Sequence, residues 1–205
     1  MHSNGGFDVI IGNPPYVEVN ENLPYSLDKL ITSKCGNLYG NCIERGFTLK
    51  TKGYFGFIIP VAITCSKRMQ KVIDFFNKKS SITYFANFDD RPGKLFEMIQ
   101  HLRATIFIAK TTPRTNSNEK FFSTKYNRWY SECRASLFNN IVYQDVYNIV
   151  KEYIVPKISY DVEASIYDKI NKSKGRLGLT FANSYTPDSA YYRAAGGGYF
   201  NLIKI

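Results

Sequence analysis

The sequence predicts an α/β fold built on a largely parallel sheet. Three observations carry this expectation. Short continuous apolar runs at Phe7 to Gly12, Tyr54 to Ile59 and Ile82 to Phe88 have the length and composition of buried strands. Segments between them repeat apolar residues at helical spacing, and strand and helix alternate along the chain. Such alternation implies parallel pairing through right-handed crossovers, with ligands gathered at the carboxyl ends of the strands.

The elements follow in order. Phe7 to Gly12 reads as a strand covered on both faces, and the polar stretch Glu18 to Lys34 as a loop that could order on substrate. Leu38, Tyr39, Cys42, Ile43 and Gly46 recur at helical spacing, and Gly53 closes that helix. Tyr54 to Ile59 is a second strand, stopped by Pro60. Ser66 is placed to cap a helix with Met69, Val72, Ile73 and Phe76 on one face, an apolar stripe suited to core packing. Ile82 to Phe88 and Arg103 to Lys110 are the third and fourth strands, separated by the polar, turn-rich segment Asp89 to Gln100.

A linker of Thr, Pro, Asn and Ser at Thr111 to Asn118 suggests a domain edge, placing one domain at residues 1–112 and another region at 113–205. Between Lys110 and Arg134, Lys120, Lys125 and Arg128 alternate with Phe121, Phe122, Tyr126, Trp129 and Tyr130. This pattern suits either a phosphate-tracking, stacking surface or a strand with one solvated and one packed face. Val162, Ile166 and Ile170 mark a helix within Ile158 to Lys172, and Tyr199 to Ile205 reads as a last strand behind the flexible Gly196 to Gly198 turn.

The 205 residues carry 44% hydrophobic residues and a formal charge of +10, with a pI near 9.4. That content suffices for a sizeable core, and the charge favours a polyanionic partner without identifying it. Cys35, Cys42, Cys65 and Cys133 show no paired spacing and the histidines are only His2 and His101, so neither a metal cluster nor a disulfide framework is expected. No apolar stretch has the length of a membrane span, and Met1 to Gly6 has no signal core, so a cytoplasmic protein with reduced thiols is expected.

The most informative residues are Asn13-Pro14-Pro15-Tyr16, directly behind the first strand. Each proline fixes φ and removes a backbone donor, and a residue before proline is pushed into extended geometry. The loop therefore presents acceptors with few competing donors. The Asn13 side-chain oxygen and the Pro14 carbonyl can both accept from one exocyclic amine, while Tyr16 can stack on the ring that bears it.

These four residues resemble the catalytic motif of S-adenosylmethionine-dependent amino-methyltransferases. Further stretches narrow the resemblance to N6-adenine-specific DNA methyltransferases of restriction-modification systems: Asn37-Leu38-Tyr39, Gly53 to Pro60, Gly93-Lys94-Leu95-Phe96 with Arg103 to Ile108, and Tyr192-Arg193-Ala194 with Gly196 to Tyr199. The resemblance implies a partial Rossmann-like S-adenosylmethionine-dependent methyltransferase fold comprising the second half of the sheet. Its last strand, Arg103 to Lys110, would run antiparallel, inserted beside its predecessor, and an α+β extension would follow. It implies that Asn13, Pro14, Pro15 and Tyr16 act on a flipped adenine in duplex DNA, that Tyr16 and Phe96 stack on it from opposite sides, and that Arg193 joins the basic DNA contacts. It also implies a prokaryotic cytoplasm. The tail from Tyr191 resembles the opening of a target-recognition domain.

Adenine N6 is a poor nucleophile because its lone pair is delocalised into the ring. Two acceptors holding both N6 hydrogens favour a pyramidal nitrogen aimed at a sulfonium methyl, so positioning and electrostatics suffice without a strong base. In the family, the donor S-adenosyl-L-methionine is held by a glycine-rich turn and an acidic residue upstream of this motif. Only six residues precede Phe7, so most of the cofactor pocket is expected to be missing, with any remaining contact near Asn13. The first strand would then present an apolar edge, and a complementing polypeptide that supplies the rest of the sheet is expected. Methylation of a protein glutamine amide and a non-catalytic DNA-binding or split-subunit role are the alternative readings.

Overall fold

The computed structural model describes residues 7–19, 26–49, 53–96, 99, 102–111 and 120–172. Two compact units are separable, residues 1–164 and 165–205, and of the second only 165–172 are described. In chain order the strands and helices are β1 (Val9–Gly12), α1 (Leu38–Leu49), β2 (Gly53–Pro60), α2 (Gln70–Lys79), β3 (Ile82–Phe88), β4 (Ala104–Thr111), β5 (Lys120–Ser123), β6 (Gln144–Asp145) and α3 (Asp161–Lys172).

The strands form one sheet in the order β1-β2-β4-β3-β5-β6. β1 pairs parallel with β2, with Gly12 opposite Phe57, and β3 pairs parallel with β5. β4 runs antiparallel between β2 and β3, as the resemblance implies. β2 and β3 thus share a direction without touching. Inserting β4 from the far end lets the chain return without another helical crossover, since antiparallel neighbours need only a loop. The carboxyl ends of β1, β2 and β3 consequently meet the amino end of β4 along one edge.

Side-chain alternation decides which face carries the main core. Phe55, Phe107, Phe85 and Phe121 point to one side and are buried, where Phe47 of α1 and Phe76 of α2 cover them. Phe107 lies at the centre, its ring edge-on to Phe76 at 4.8 Å and to Phe55 at 5.2 Å. Each such ring removes enough apolar surface from water to contribute about 1.5–3 kcal/mol. On the opposite face, Ala86 and Phe88 pack with Trp129, Leu95 and Ile106 in a smaller cluster.

Four expectations change. β1 lies at the sheet edge among the described residues, as expected, but it is covered on one face only: Ile10 packs on the main core while Val9 and Ile11, on the other face, are 55% and 80% exposed. Ser66 makes no side-chain cap; a short 3-10 turn, Lys67–Met69, intervenes before α2, and Met69 still reaches the core. The described part of the loop before α1 is fastened, because Glu44 accepts from the Ile31 and Thr32 backbone N–H groups at 3.0 and 2.8 Å and from the Thr32 hydroxyl at 2.7 Å. Finally, the sheet continues past the linker: β5 adds to β3 and β6 adds to β5. Residues 112–119, the core of that linker, and residues 191–205, including Arg193 and the last expected strand, lie outside the described residues.

Gly46 tests the packing of α1 on the sheet. A Cβ there would meet the Phe55 ring at 2.4 Å. Helix propensity favours Gly46→Ala by about 1 kcal/mol, while overpacking a closed core costs about 1–3 kcal/mol. The expected net result is a lower urea midpoint with unchanged slope.

Candidate functional site

The Asn13-Pro14-Pro15-Tyr16 loop leaves β1 at the carboxyl edge of the sheet. Asn13 is exposed, Pro14 is buried, Pro15 is exposed and Tyr16 is half-buried. The register of β1 against β2 stops at Gly12 opposite Phe57, and the two prolines bring no N–H to continue it. The Tyr16 hydroxyl takes over, donating to the Ile58 carbonyl at 2.8 Å. Burial pushes the Tyr16 phenol up to about 12, so it remains a protonated donor at any physiological pH.

Asn37-Leu38-Tyr39 fixes the far end of the same loop. The Leu38 N–H donates to the Val17 carbonyl at 2.9 Å, Val19 donates to Gly36 at 3.2 Å, and the Tyr39 ring is buried edge-on to Tyr16 at 6.4 Å. Gly36, at φ 76, makes the left-handed turn that begins this contact. Pro15 also walls a small hollow of 210 Å³ with Leu27, Leu30, Leu38, Asn41, Cys42 and Arg45.

Phe96 is brought to Tyr16, with ring centroids 6.3 Å apart and planes at 75°. The two rings therefore meet edge to face and do not form a parallel slot in this state. The loop carrying Phe96 is held from the C-terminal side. Gly93 donates to the Trp129 carbonyl at 2.7 Å, and a Cβ on Gly93 would lie 2.7 Å from that same oxygen, so only glycine fits without displacement. Arg134 donates to the carbonyls of Lys94 and Leu95 at 3.3 and 3.1 Å, and lies over the Trp129 ring.

The alternating basic and aromatic stretch thus acts in large part as a strap under the Phe96 loop. Its basic residues part company. Lys120, opposite Ile82 in the β3–β5 pair, sits at the amino end of the sheet, away from Asn13. Lys125 lies beyond the carboxyl end of β5, with its ammonium 5.0 Å from the Tyr160 ring centre. Arg128 donates through Nε to Asp89 Oδ2 at 2.8 Å, and Arg103 donates through Nε to Asp89 Oδ1 at 2.9 Å. Sequence reading missed this ionic centre, because Asp89 lies 14 residues before Arg103 and 39 before Arg128.

Asp89 has a side chain only 3% exposed. Burial alone would raise its pKa, and the hydrogen bonds from Arg103 and Arg128 outweigh that, holding the carboxyl at about 2.

Among the described residues, the glycines with close neighbours approach Phe57, Arg68, Cys35, Phe55, the β4 backbone and Trp129; these are packing contacts and do not compose a glycine-rich turn that would hold S-adenosylmethionine. Among the described residues no helix is long and apolar enough to cross a membrane.

Residues 1–96 match the family described as Eco57I restriction-modification methylase. No curated protein matches the chain. Two solved structures share the fold: a DrdV–DNA complex, 15% identical over 67% of this chain and 17% of that one with a TM-score of 0.52, and a nuclease-deletion mutant of the Type ISP restriction-modification enzyme LlaGI in complex with a DNA substrate mimic, 18% identical over 67% and 17% with a TM-score of 0.50. The chain thus spans about a sixth of the length of either.

The Asp89 centre gives a pH prediction. Its pKa is depressed on folding, so its contribution is complete above the ordinary carboxylate value of 3.8 and is lost as pH falls toward about 2. Urea unfolding of the wild type from neutral to acid pH is expected to show a loss on the order of 2 kcal/mol in that window, and Asp89→Asn is expected to remove it. Over residues 1–96 this chain resembles the Eco57I restriction-modification methylases.

Proposed function

We propose that this chain forms the target-base clamp of an adenine-N6 DNA methyltransferase acting in a restriction-modification system. The observation that carries the proposal is the exposed Asn13 carboxamide at the carboxyl end of β1, on a loop anchored through Tyr16 to β2 and facing Phe96. The Asn13 Oδ1 and the Pro14 carbonyl accept the two N6 hydrogens of an extruded adenine. Tyr16 and Phe96 take its faces, Phe96 turning from edge-on to parallel as the base enters. The amine lone pair is thereby directed away from the ring toward the methyl donor.

The donor S-adenosyl-L-methionine supplies the methyl group, and its main binding residues come from a complementing polypeptide that pairs along β1. The exposed Val9 and Ile11 favour this arrangement, since an edge strand with apolar side chains is a template for another strand. Duplex DNA is the partner, in keeping with the chain's charge of +10.

Permanganate, which oxidises thymines that have lost their paired partner, tests the clamp directly. Adding the chain to duplex DNA is expected to create reactive thymines opposite extruded adenines. Tyr16→Ala is expected to reduce that reactivity about tenfold, through loss of a stack worth about 1–3 kcal/mol. Absence of protein-dependent reactivity in the wild type contradicts the proposal. Calorimetry with S-adenosylmethionine is expected to give no saturable heat from the chain alone, and robust N6-methyladenine formation by the monomer would overturn the split arrangement while leaving the clamp intact.

A further inference from the structure

A second polar site opens on the same edge of the sheet. Beyond the carboxyl end of β3 lies a cleft of 770 Å³ lined by Asp89, Asp90, Arg91, Pro92, Arg103, Arg128 and Tyr130. Three guanidiniums face two carboxylates there, leaving a net charge of +1. The carboxylates are buried, Asp89 3% and Asp90 7% exposed, whereas Arg91 is exposed and the Arg128 side chain is 72% exposed. Asp89 binds Arg103 and Arg128 through their Nε atoms. It therefore orients both planar guanidiniums before any ligand arrives, and Arg103 Nε also lies 3.9 Å from Asp90 Oδ1, so both buried carboxylates are paired. Tyr130, 66% exposed, adds an aromatic face at the rim.

Preoriented arginines beside an exposed ring match the phosphate and base of a nucleotide unit, because guanidinium edges donate in pairs to phosphate oxygens and an aromatic face accepts any base. Neighbouring strands are about 4.8 Å apart, so the end of β3, three strand positions from β1, lies about 14 Å from the start of the Asn13 loop. That distance falls within a few nucleotides of one polynucleotide strand. The loop Asp89 to Phe96 runs between the two places, carrying the cleft at its beginning and the ring against Tyr16 at its end.

We propose that the Arg91–Arg103–Arg128 cleft binds a backbone phosphodiester of the nucleic-acid strand whose base enters the Asn13–Tyr16–Phe96 clamp. The proposal rests on the clamp reading for which strand is held, while the phosphate chemistry of the cleft stands apart from it. Asp89 is a positioning residue here, and Arg91 and Arg128 touch the ligand.

The test is the salt dependence of duplex binding by the full chain, read by anisotropy of a labelled oligonucleotide, with permanganate reactivity followed in the same samples. Arg91→Ala and Arg128→Ala are each expected to weaken binding about tenfold near 0.1 M salt and to lower the slope of log affinity against log salt by about 1. Lys120→Ala, at the opposite end of the sheet, is expected to leave the slope unchanged. Arg91 is exposed, so its removal leaves the fold intact even if Arg128→Ala, which takes one partner from Asp89, lowers stability. An unchanged slope in Arg91→Ala overturns the proposal, and so does an equal loss in Lys120→Ala, which marks diffuse charge. Inorganic phosphate binding, read by phosphorus NMR, that disappears in Arg91→Ala while the duplex slope stays assigns the cleft to free phosphate and also overturns it. If the slope falls as expected but the wild type creates no reactive thymines, the cleft stands and the clamp reading fails.

Discussion

The loop on which the site depends is set by what two prolines withhold. Where β1 ends, Pro14 and Pro15 cannot donate to β2, and the Ile58 carbonyl takes its hydrogen bond from the Tyr16 hydroxyl. This bond ties the loop to a strand clamped on its other side by the antiparallel β4. Asn13 is consequently exposed at a rigid strand end, on a segment pinned at Tyr16 and again where Leu38 reaches Val17. Tyr39 and Phe96 then meet the tyrosine ring from two directions. The same phenol that could stack on a base is therefore also a structural donor, which constrains how far its ring can move.

The strand and helix periods were legible because they arise from local packing. Ile82–Phe88 is found where the apolar run places it, and the other long strands differ by a residue at the ends. The place of β4 between β2 and β3 came only from family resemblance, since an apolar run carries no information on direction. β1 shows the limit of reading a run alone: Phe7 to Gly12 has the composition of a covered strand, yet covering requires a layer packed on each face, and only the Ile10 face has one. The short strand β5 and two-residue β6 were not legible as parts of the main sheet, because their pairing is set by long-range contact.

The site divides in the same way. Asn13, Pro14, Pro15 and Tyr16 are contiguous, and their stiffness follows from covalent structure. The ionic centre is assembled from Asp89, Arg103 and Arg128, which only the folded sheet edge brings together. The alternating stretch at Lys120 to Arg134 is both of the things its pattern allowed: Trp129 is packed beneath the Phe96 loop, while Arg128 and Tyr130 reach the cleft. Sequence spacing cannot separate those roles, because alternate residues in an irregular strap do not keep the strict two-face rule of a strand.

The central claim, that the Asn13 carboxamide recognises an exocyclic amine, is tested most directly by NMR of its side-chain NH₂ signals. The chain is titrated with duplexes carrying a single bulged adenine or a bulged purine that lacks the N6 amine. The account predicts that the Asn13 signals shift with bulged adenine and stay with bulged purine, while Tyr16 ring signals respond to both. Equal Asn13 shifts for the two bases, or none with adenine while Tyr16 responds, would contradict it.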